Sequence, residues 1–194
     1  MLSLTGWLFS LAAAICATIL AAAADQPMLQ MAAAAAVSTA IALIAIRERQ
    51  RLNETGAPTS AIASSTARYL ALVWGWAALS LLVTYLFIIE KPWPEWWQFF
   101  IGFAFAAVAS LVFSITLDRD RAAGRDDATL IKVGRVLVQA QLVGMVFGII
   151  SLFVDNKFPR SAVHADWAGC NIFFFGALAI AAISLDALRS RAYV

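Results

Sequence analysis

The residues in this sequence best suited to chemistry fall into a few small groups. One is an alternating run, Asp118-Arg119-Asp120-Arg121, followed by Arg125-Asp126-Asp127. Paired aspartates at a membrane surface can hold magnesium for transfer of prenyl or phospholipid head groups, because hard divalent cations take carboxylate oxygens. Here the acids are interleaved with arginines, and no second acidic motif exists to complete such a site. Helix-end caps and solvated ion pairs are the expected roles, with Asp126 or Asp127 starting a helix. A second group surrounds His164, the single histidine, with Asp155, Asn156, Asp166 and Asn171 near it in sequence. One imidazole cannot supply both axial ligands of a bis-histidine haem, and one histidine with carboxylates is a thin basis for zinc. Solvated loop residues are expected there, with external metal binding or pH sensing as the sharper alternative. The two cysteines, Cys16 and Cys170, sit inside apolar runs at different depths, so they are expected as unpaired packing residues. Neither has a histidine beside it, and no Gly-x-Ser-x-Gly elbow occurs. No catalytic residue, cofactor or metal is predicted.

Neutral polar groups inside apolar runs form the last set. Gln139 and Gln141 lie in one run and Asn171 in another. An amide in hydrocarbon must find hydrogen bonds. Interhelical bonding is the first expectation; a pore or pocket for a small uncharged solute, lined by Gln139, Gln141 and Asn171, is the alternative.

The elements that must position these residues follow from composition. Of 194 residues, 62% are hydrophobic and 13% charged, with a mean hydropathy of +0.82. A soluble domain carries about 25% charged residues. A membrane-spanning helix needs about 20 apolar residues to cross about 30 Å of hydrocarbon. Six stretches qualify: 4–24, 27–46, 69–89, 96–117, 133–154 and 167–185. None alternates as a membrane strand would, so the expected fold is an all-α polytopic membrane protein, six helices arranged as three antiparallel hairpins in a single domain. Asp25-Gln26-Pro27, Lys91-Pro92-Trp93-Pro94 and Lys157-Phe158-Pro159 punctuate three breaks, and glycines at 56 and 124 mark two longer loops, 47–68 and 118–132. The first loop is expected to begin as a charged helical extension over 47–54 and to continue as a Ser/Thr/Ala linker. Ala22-Ala23-Ala24 resembles a signal-peptidase site, but residues 1–6 hold no lysine or arginine, so retention of the first span is expected, with five spans if it is cleaved.

Basic residues set the expected orientation. Eleven of the 14 flank the loops at 47–68 and 118–132 and the C-terminal end; Lys91, Lys157 and Arg160 lie opposite. The basic side is cytoplasmic by the positive-inside rule, which puts both termini there, in a membrane of the bacterial inner type. Trp93, Trp96, Trp97 and Trp167 cluster on the other side as interfacial anchors. Within the spans, no Asp, Glu, Lys, Arg or His lies between boundary residues except Arg135, near an end, which argues against proton-coupled antiport, voltage sensing and intramembrane aspartyl proteolysis.

Small residues permit close helix approach where lipid gives no hydrophobic drive. Ala13, Ala17 and Ala21 recur every four residues, as do Ala32, Ala36 and Ala40, so a close hairpin between the first two helices is expected. Gly144 and Gly148 make a further small-x-x-x-small pair. A faint repeat relates Ile115-Thr116-Leu117-Asp118 to Ile183-Ser184-Leu185-Asp186, each before a basic segment, although shared boundary constraints account for it as well. The basic loops can hold anionic lipids or a soluble partner; nucleic acid is not an expected partner. Three readings result. The first is a non-enzymatic accessory or assembly subunit, or a homo-oligomer, whose partners are lipids, other membrane subunits or itself. The second is a passive channel, facilitator or binding subunit for a small neutral or apolar solute. The third is a metal-dependent lipid-modifying enzyme resting on Asp118 and Asp127.

Overall fold

Hydrocarbon offers no water to backbone N–H and C=O groups, so a chain that crosses it satisfies them internally, most simply as helix. The computed structural model describes residues 4–24, 26–88, 96–125, 128–154, 164–190 and 192–193, without side chains for 4, 27 and 151–167. Its elements are α1 (Leu4–Ala23), α2 (Pro27–Glu54), α3 (Thr59–Val83), α4 (Trp96–Ala122), α5 (Ala128–Val154) and α6 (His164–Leu188). A π-helical turn, Thr84–Ile88, widens the end of α3. All six helices are long and apolar enough to cross a membrane. The chain is an all-α polytopic membrane protein.

Helix ends follow local chemistry. Pro27 opens α2, where its missing N–H costs nothing and its fixed φ suits the first turn. Gly56 and Gly124 adopt φ of +69° and +70°, the left-handed conformation that a side chain disfavours. Around Gly124 the chain folds back on α4, with the Arg125 N–H donating to the Asp120 carbonyl at 2.9 Å. The turn between α2 and α3 is short. Residues 47–54 continue α2, as the charged extension predicts, but the expected Ser/Thr/Ala linker is instead the first turns of α3. Every residue from Ser60 to Ala67 is buried. Small, weakly polar side chains have low hydropathy, yet they let α3 approach its neighbours closely; the hydropathy scale misses what packing rewards.

α3 is the central pillar. It packs most extensively on α4 and also touches α6, α2, α1 and α5. Of its apolar stretch 67% is buried, against 17% for α5. α1 lies on α3 through Trp7, Leu11, Ala14, Thr18 and Ala21, all buried and spaced four and three apart, the interval that keeps one helix face on a partner. α2 packs mainly on α6, through a stripe running from Ala34 past Ser38, Ile41 and Ala45 to Arg49. Ala13 and Ala17 on α1 and Ala32, Ala36 and Ala40 on α2 are exposed, off these stripes. Where a close alanine seam between the first two helices is expected, Ala13 and Ala40 line an open crevice. The reason is rotational. α1 turns Trp7, Leu11 and Thr18 toward α3 and α2 turns Ala34, Ser38 and Ala45 inward, which leaves the other alanines at the rim.

Candidate functional site

The polar side chains between the helices form layers along the bundle. At the basic end, α3 carries Ser60, Ser64 and Arg68, and α4 carries Ser110, Ser114 and Asp118, each set at intervals of four. Intervals of four stack side chains along one helix face, and all four serines are buried. Ser64 donates to Asp118 Oδ1 at 2.7 Å and lies 3.0 Å from the Ser114 hydroxyl. The Arg68 guanidinium grips the other Asp118 oxygen, and Arg121, one turn further along α4, donates to Oδ1 at 2.9 Å. The Trp7 indole donates to the Arg68 carbonyl at 3.2 Å and ties α1 into the same layer. A second clamp joins Arg49 of α2 to Asp186 of α6. Both members of the faint repeat, Asp118 and Asp186, thus receive an arginine from a neighbouring helix.

Asp118 accepts from Ser64, Arg68 and Arg121 together. Those donors take three of the carboxylate's roughly four lone-pair sites. Among the described residues no three of His, Cys, Asp and Glu gather as metal ligands. Asp126, Asp127, Asp155 and Asn156 lie outside the described residues, and of His164, Asp166 and Trp167 only the backbone is described, as the start of α6.

The next layer is built on Gln141. Its side-chain oxygen accepts from the Trp74 indole of α3 at 2.9 Å, and its amide nitrogen donates to Ser110 of α4 at 3.2 Å. One amide thereby joins three helices. Beyond it, the Trp76 indole donates to the Thr18 hydroxyl at 2.8 Å, which itself donates to the Ala14 carbonyl at 2.9 Å. Each side chain named in this layer has a partner.

Orphaned groups occur toward the tryptophan end, as they also do at Ser184 and Ser190 toward the basic end. Ser80 of α3 and Thr84 of the π-helical turn are fully buried, and neither hydroxyl has a hydrogen-bond partner among the described residues; nor does Nδ2 of Asn171, itself 6% exposed on α6. Two close contacts fix the register of these antiparallel helices. A Cβ on Gly176 would meet Trp76 at 3.4 Å, and one on Gly169 would meet the Tyr85 hydroxyl at 2.5 Å. Ser80 and Thr84 lie between the α3 members of those contacts, and Asn171 lies between the α6 members. The three orphaned groups therefore share one level of the α3–α6 contact.

The amides singled out in the sequence are not assembled around one channel. Gln141 points inward and is hydrogen-bonded. Gln139, two residues away on the helix, is exposed on the outer face of α5. Asn171 sits on another helix; from the Gly148–Phe173 contact between α5 and α6, it lies about nine residues from the Gln141 level, roughly 13 Å along the bundle. The two glycines of α5 also part company. A Cβ on Gly148 would meet the Phe173 ring at 2.6 Å, whereas one on Gly144 would meet nothing within 4 Å. Gly148 seats an intramolecular contact, and Gly144 opens outward.

Of the tryptophans, Trp96 faces inward and stacks on Tyr85, ring centroids 5.7 Å apart with planes at 11°. It closes an aromatic cluster with Phe99, Phe103 and Phe173. Trp97 points out, half exposed, and Trp93 lies outside the described residues. Cys16 is exposed and Cys170 partly buried, and they form no disulfide.

Hydropathy alone missed Arg49, Arg68 and Asp186 as paired groups, and with them the serine ladder. The signal was present as Ser-x-x-x-Ser-x-x-x-Arg on α3 and Ser-x-x-x-Ser-x-x-x-Asp on α4. No protein-family model matches this sequence, no curated protein is significantly similar to it, and no solved structure significantly matches the fold.

Proposed function

We propose that this chain acts by association within the membrane, as an accessory or assembly subunit or as a homo-oligomer, with α5 as its docking helix. The observation that carries this reading is Gln139. Its amide is exposed midway along an apolar helix, on the least buried of the six spans. It makes no hydrogen bond to a described residue of this chain. Lipid tails cannot satisfy an amide, while a neighbouring helix can, and small residues beside it let that helix come close. Ala140 and Gly144, one turn apart, form an exposed small-residue strip on the adjoining face of the helix. The interior supports the same reading from the other side: its ion pairs and amide bonds fasten helices together.

The basic ends of the helices, with both termini, face the cytoplasm in this proposal, and the membrane is of the bacterial inner type. Both rest on the positive-inside bias of the sequence. The test is the mass of the particle after mild-detergent extraction from its native membrane. The wild type is expected in a particle larger than one chain, and Gln139→Leu with Gly144→Ile is expected to release monomer. A wild type that is already monomeric with nothing co-eluting contradicts the proposal.

A second reading draws on Asn171, Ser80 and Thr84. Three orphaned polar groups at one buried level suit a binding subunit for a small neutral polar molecule, since each lacks a bond that a ligand or water supplies. Solute flux in proteoliposomes separates the readings: Asn171→Leu is expected to abolish flux if this one holds, and unchanged flux removes it.

A further inference from the structure

The crevice between α1 and α2 has a property that the association reading does not use. It opens sideways, encloses about 270 Å³, and is walled by Ala13, Ala14, Val37, Ala40 and Ile44 with Tyr69 as part of its floor. Tyr69 is 3% exposed, and its hydroxyl makes no hydrogen bond to a described residue. On α2 the lining positions 37, 40 and 44 continue at the same three-to-four spacing to Arg47 and Arg51. Both arginines are exposed, and neither forms an ion pair with a described residue. The other arginine of that helix, Arg49, is bound to Asp186.

Length and charge together select an occupant. From Val37 to Arg47 is ten residues, about 15 Å of helix. Half of a bilayer's hydrocarbon is about 15 Å. The walls, apolar but for Ser10, run from Val37 to Ile44, and the helix carries the same face on to the level of Arg47 and Arg51, one leaflet deep, with Glu48 between the two arginines and near Tyr69. We infer that it is a site for one anionic phospholipid, an acyl chain lying against Ala13 and Ala40 with the phosphate held by Arg47 and Arg51. A neighbouring crevice between α2 and α6, about 330 Å³ and bordered by Ser38, Ala42, Ile46, Phe175 and Ala182, provides the contrast. The same helical spacing leads from Ile46 to Arg49, whose charge Asp186 already neutralises. Crevice volume alone does not make a headgroup site; unpaired cations at the mouth do.

Native mass spectrometry of the full chain tests this, after detergent exchange in the presence of phosphatidylglycerol or phosphatidylcholine. The wild type is expected to retain one phosphatidylglycerol and to retain phosphatidylcholine at least about tenfold less, on the scale of two arginine–headgroup contacts. Arg47→Gln with Arg51→Gln is expected to lower phosphatidylglycerol retention about tenfold, since two charges are removed. Ala40→Phe, which fills the crevice and leaves both charges, is expected to do the same. Arg119→Gln with Arg189→Gln, exposed arginines away from the crevice, is expected to retain lipid as the wild type does. Equal retention of the two lipids, or undiminished retention by the Arg47/Arg51 variant, overturns the site. Those two arginines make no ion pair within the described chain, so that variant decides the matter even if Ala40→Phe does not fold.

Discussion

α3 and α5 run in the same direction through the bundle and are similarly apolar, with mean hydropathies of 2.0 and 1.7 over their best stretches. Their surroundings are opposite. α3 is 67% buried along that stretch and contacts every other helix; α5 is 17% buried. Hydropathy says that both can enter a membrane and nothing about which one faces lipid. The difference lies in which small and polar residues each helix carries and where its partners sit. On α3, Ser60, Ser64, Ser80 and Thr84 all turn into protein. On α5, Gln141 turns inward to Trp74 and Ser110, while Gln139 and Gly144 turn out. A buried pillar and a half-clothed outer helix are what a subunit with one docking face should have.

Variants along these two helices sharpen the comparison. The largest effect is expected from Asp118→Ala at the foot of α3, which leaves the mostly buried Arg68 guanidinium without its carboxylate. Losing one partner of a buried pair costs about 3–5 kcal/mol; the side chains here are partly exposed, so about 2–4 kcal/mol is expected by denaturant unfolding in detergent. Replacing Arg68 and Asp118 together with leucine and isoleucine should cost less, because the mostly buried guanidinium leaves with its carboxylate and only the bonds from Ser64 and the more exposed Arg121 are lost.

The two glycines of α5 give the next step. Gly148→Leu drives a side chain into the Phe173 ring and is expected to cost about 1–3 kcal/mol of monomer stability, as overpacking does. Gly144→Leu should leave monomer stability unchanged and weaken association instead. If both glycines proved equally costly to monomer stability, α5 would not have the open face ascribed to it. A smaller loss, about 1–2 kcal/mol, is expected for Gln141→Leu, which strips the Trp74 indole of its acceptor.

The smallest effect is expected at Tyr193, in the turn after α6. Its ring is buried, its hydroxyl has no partner among the described residues, and burial alone pushes its ionisation above the ordinary phenol value of 10.0. Removing an unpartnered hydroxyl costs nothing, so Tyr193→Phe should be neutral or slightly stabilising near neutral pH. The sign in alkali follows from the raised value. The folded chain holds this proton more tightly than the unfolded chain, so the stability it contributes is full below pH 10 and falls as pH climbs past it. The phenylalanine variant should lose this part of the alkaline fall, which thermal melts between pH 9 and 11.5 will register.

Much of the fold was legible because hydrocarbon imposes a length and a composition on anything that crosses it. Six apolar runs broken by Pro27, Gly56 and Gly124 became six helices broken at those places. The serine-rich entry to α3 was not legible by the same rule, since its burial depends on how closely α4 approaches. The candidate site was only partly visible. Gln141 could be recognised as an amide that needs partners, but nothing in its neighbourhood names Trp74, 67 residues away. Nor does the spacing of Ala13 and Ala40 say that they line a crevice rather than a seam; that depends on the rotation of α1, set by Trp7, Leu11 and Thr18 against α3. Periodicity gives each helix its faces, and only the assembled bundle decides which face meets which.

The most direct test of α5 as a docking helix is a cysteine scan in native membranes, with Cys16 and Cys170 replaced by serine and single cysteines placed at Gln139, Ala140, Gly144 and Val143. Mild oxidation or a short thiol-to-amine cross-linker should trap a product larger than one chain from Ala140→Cys and Gly144→Cys. It should trap none from a cysteine at Ala71, buried on α3. If the α5 positions stay uncross-linked at natural abundance while a different helix face yields a product, α5 is a lipid-facing helix and this account of the protein fails.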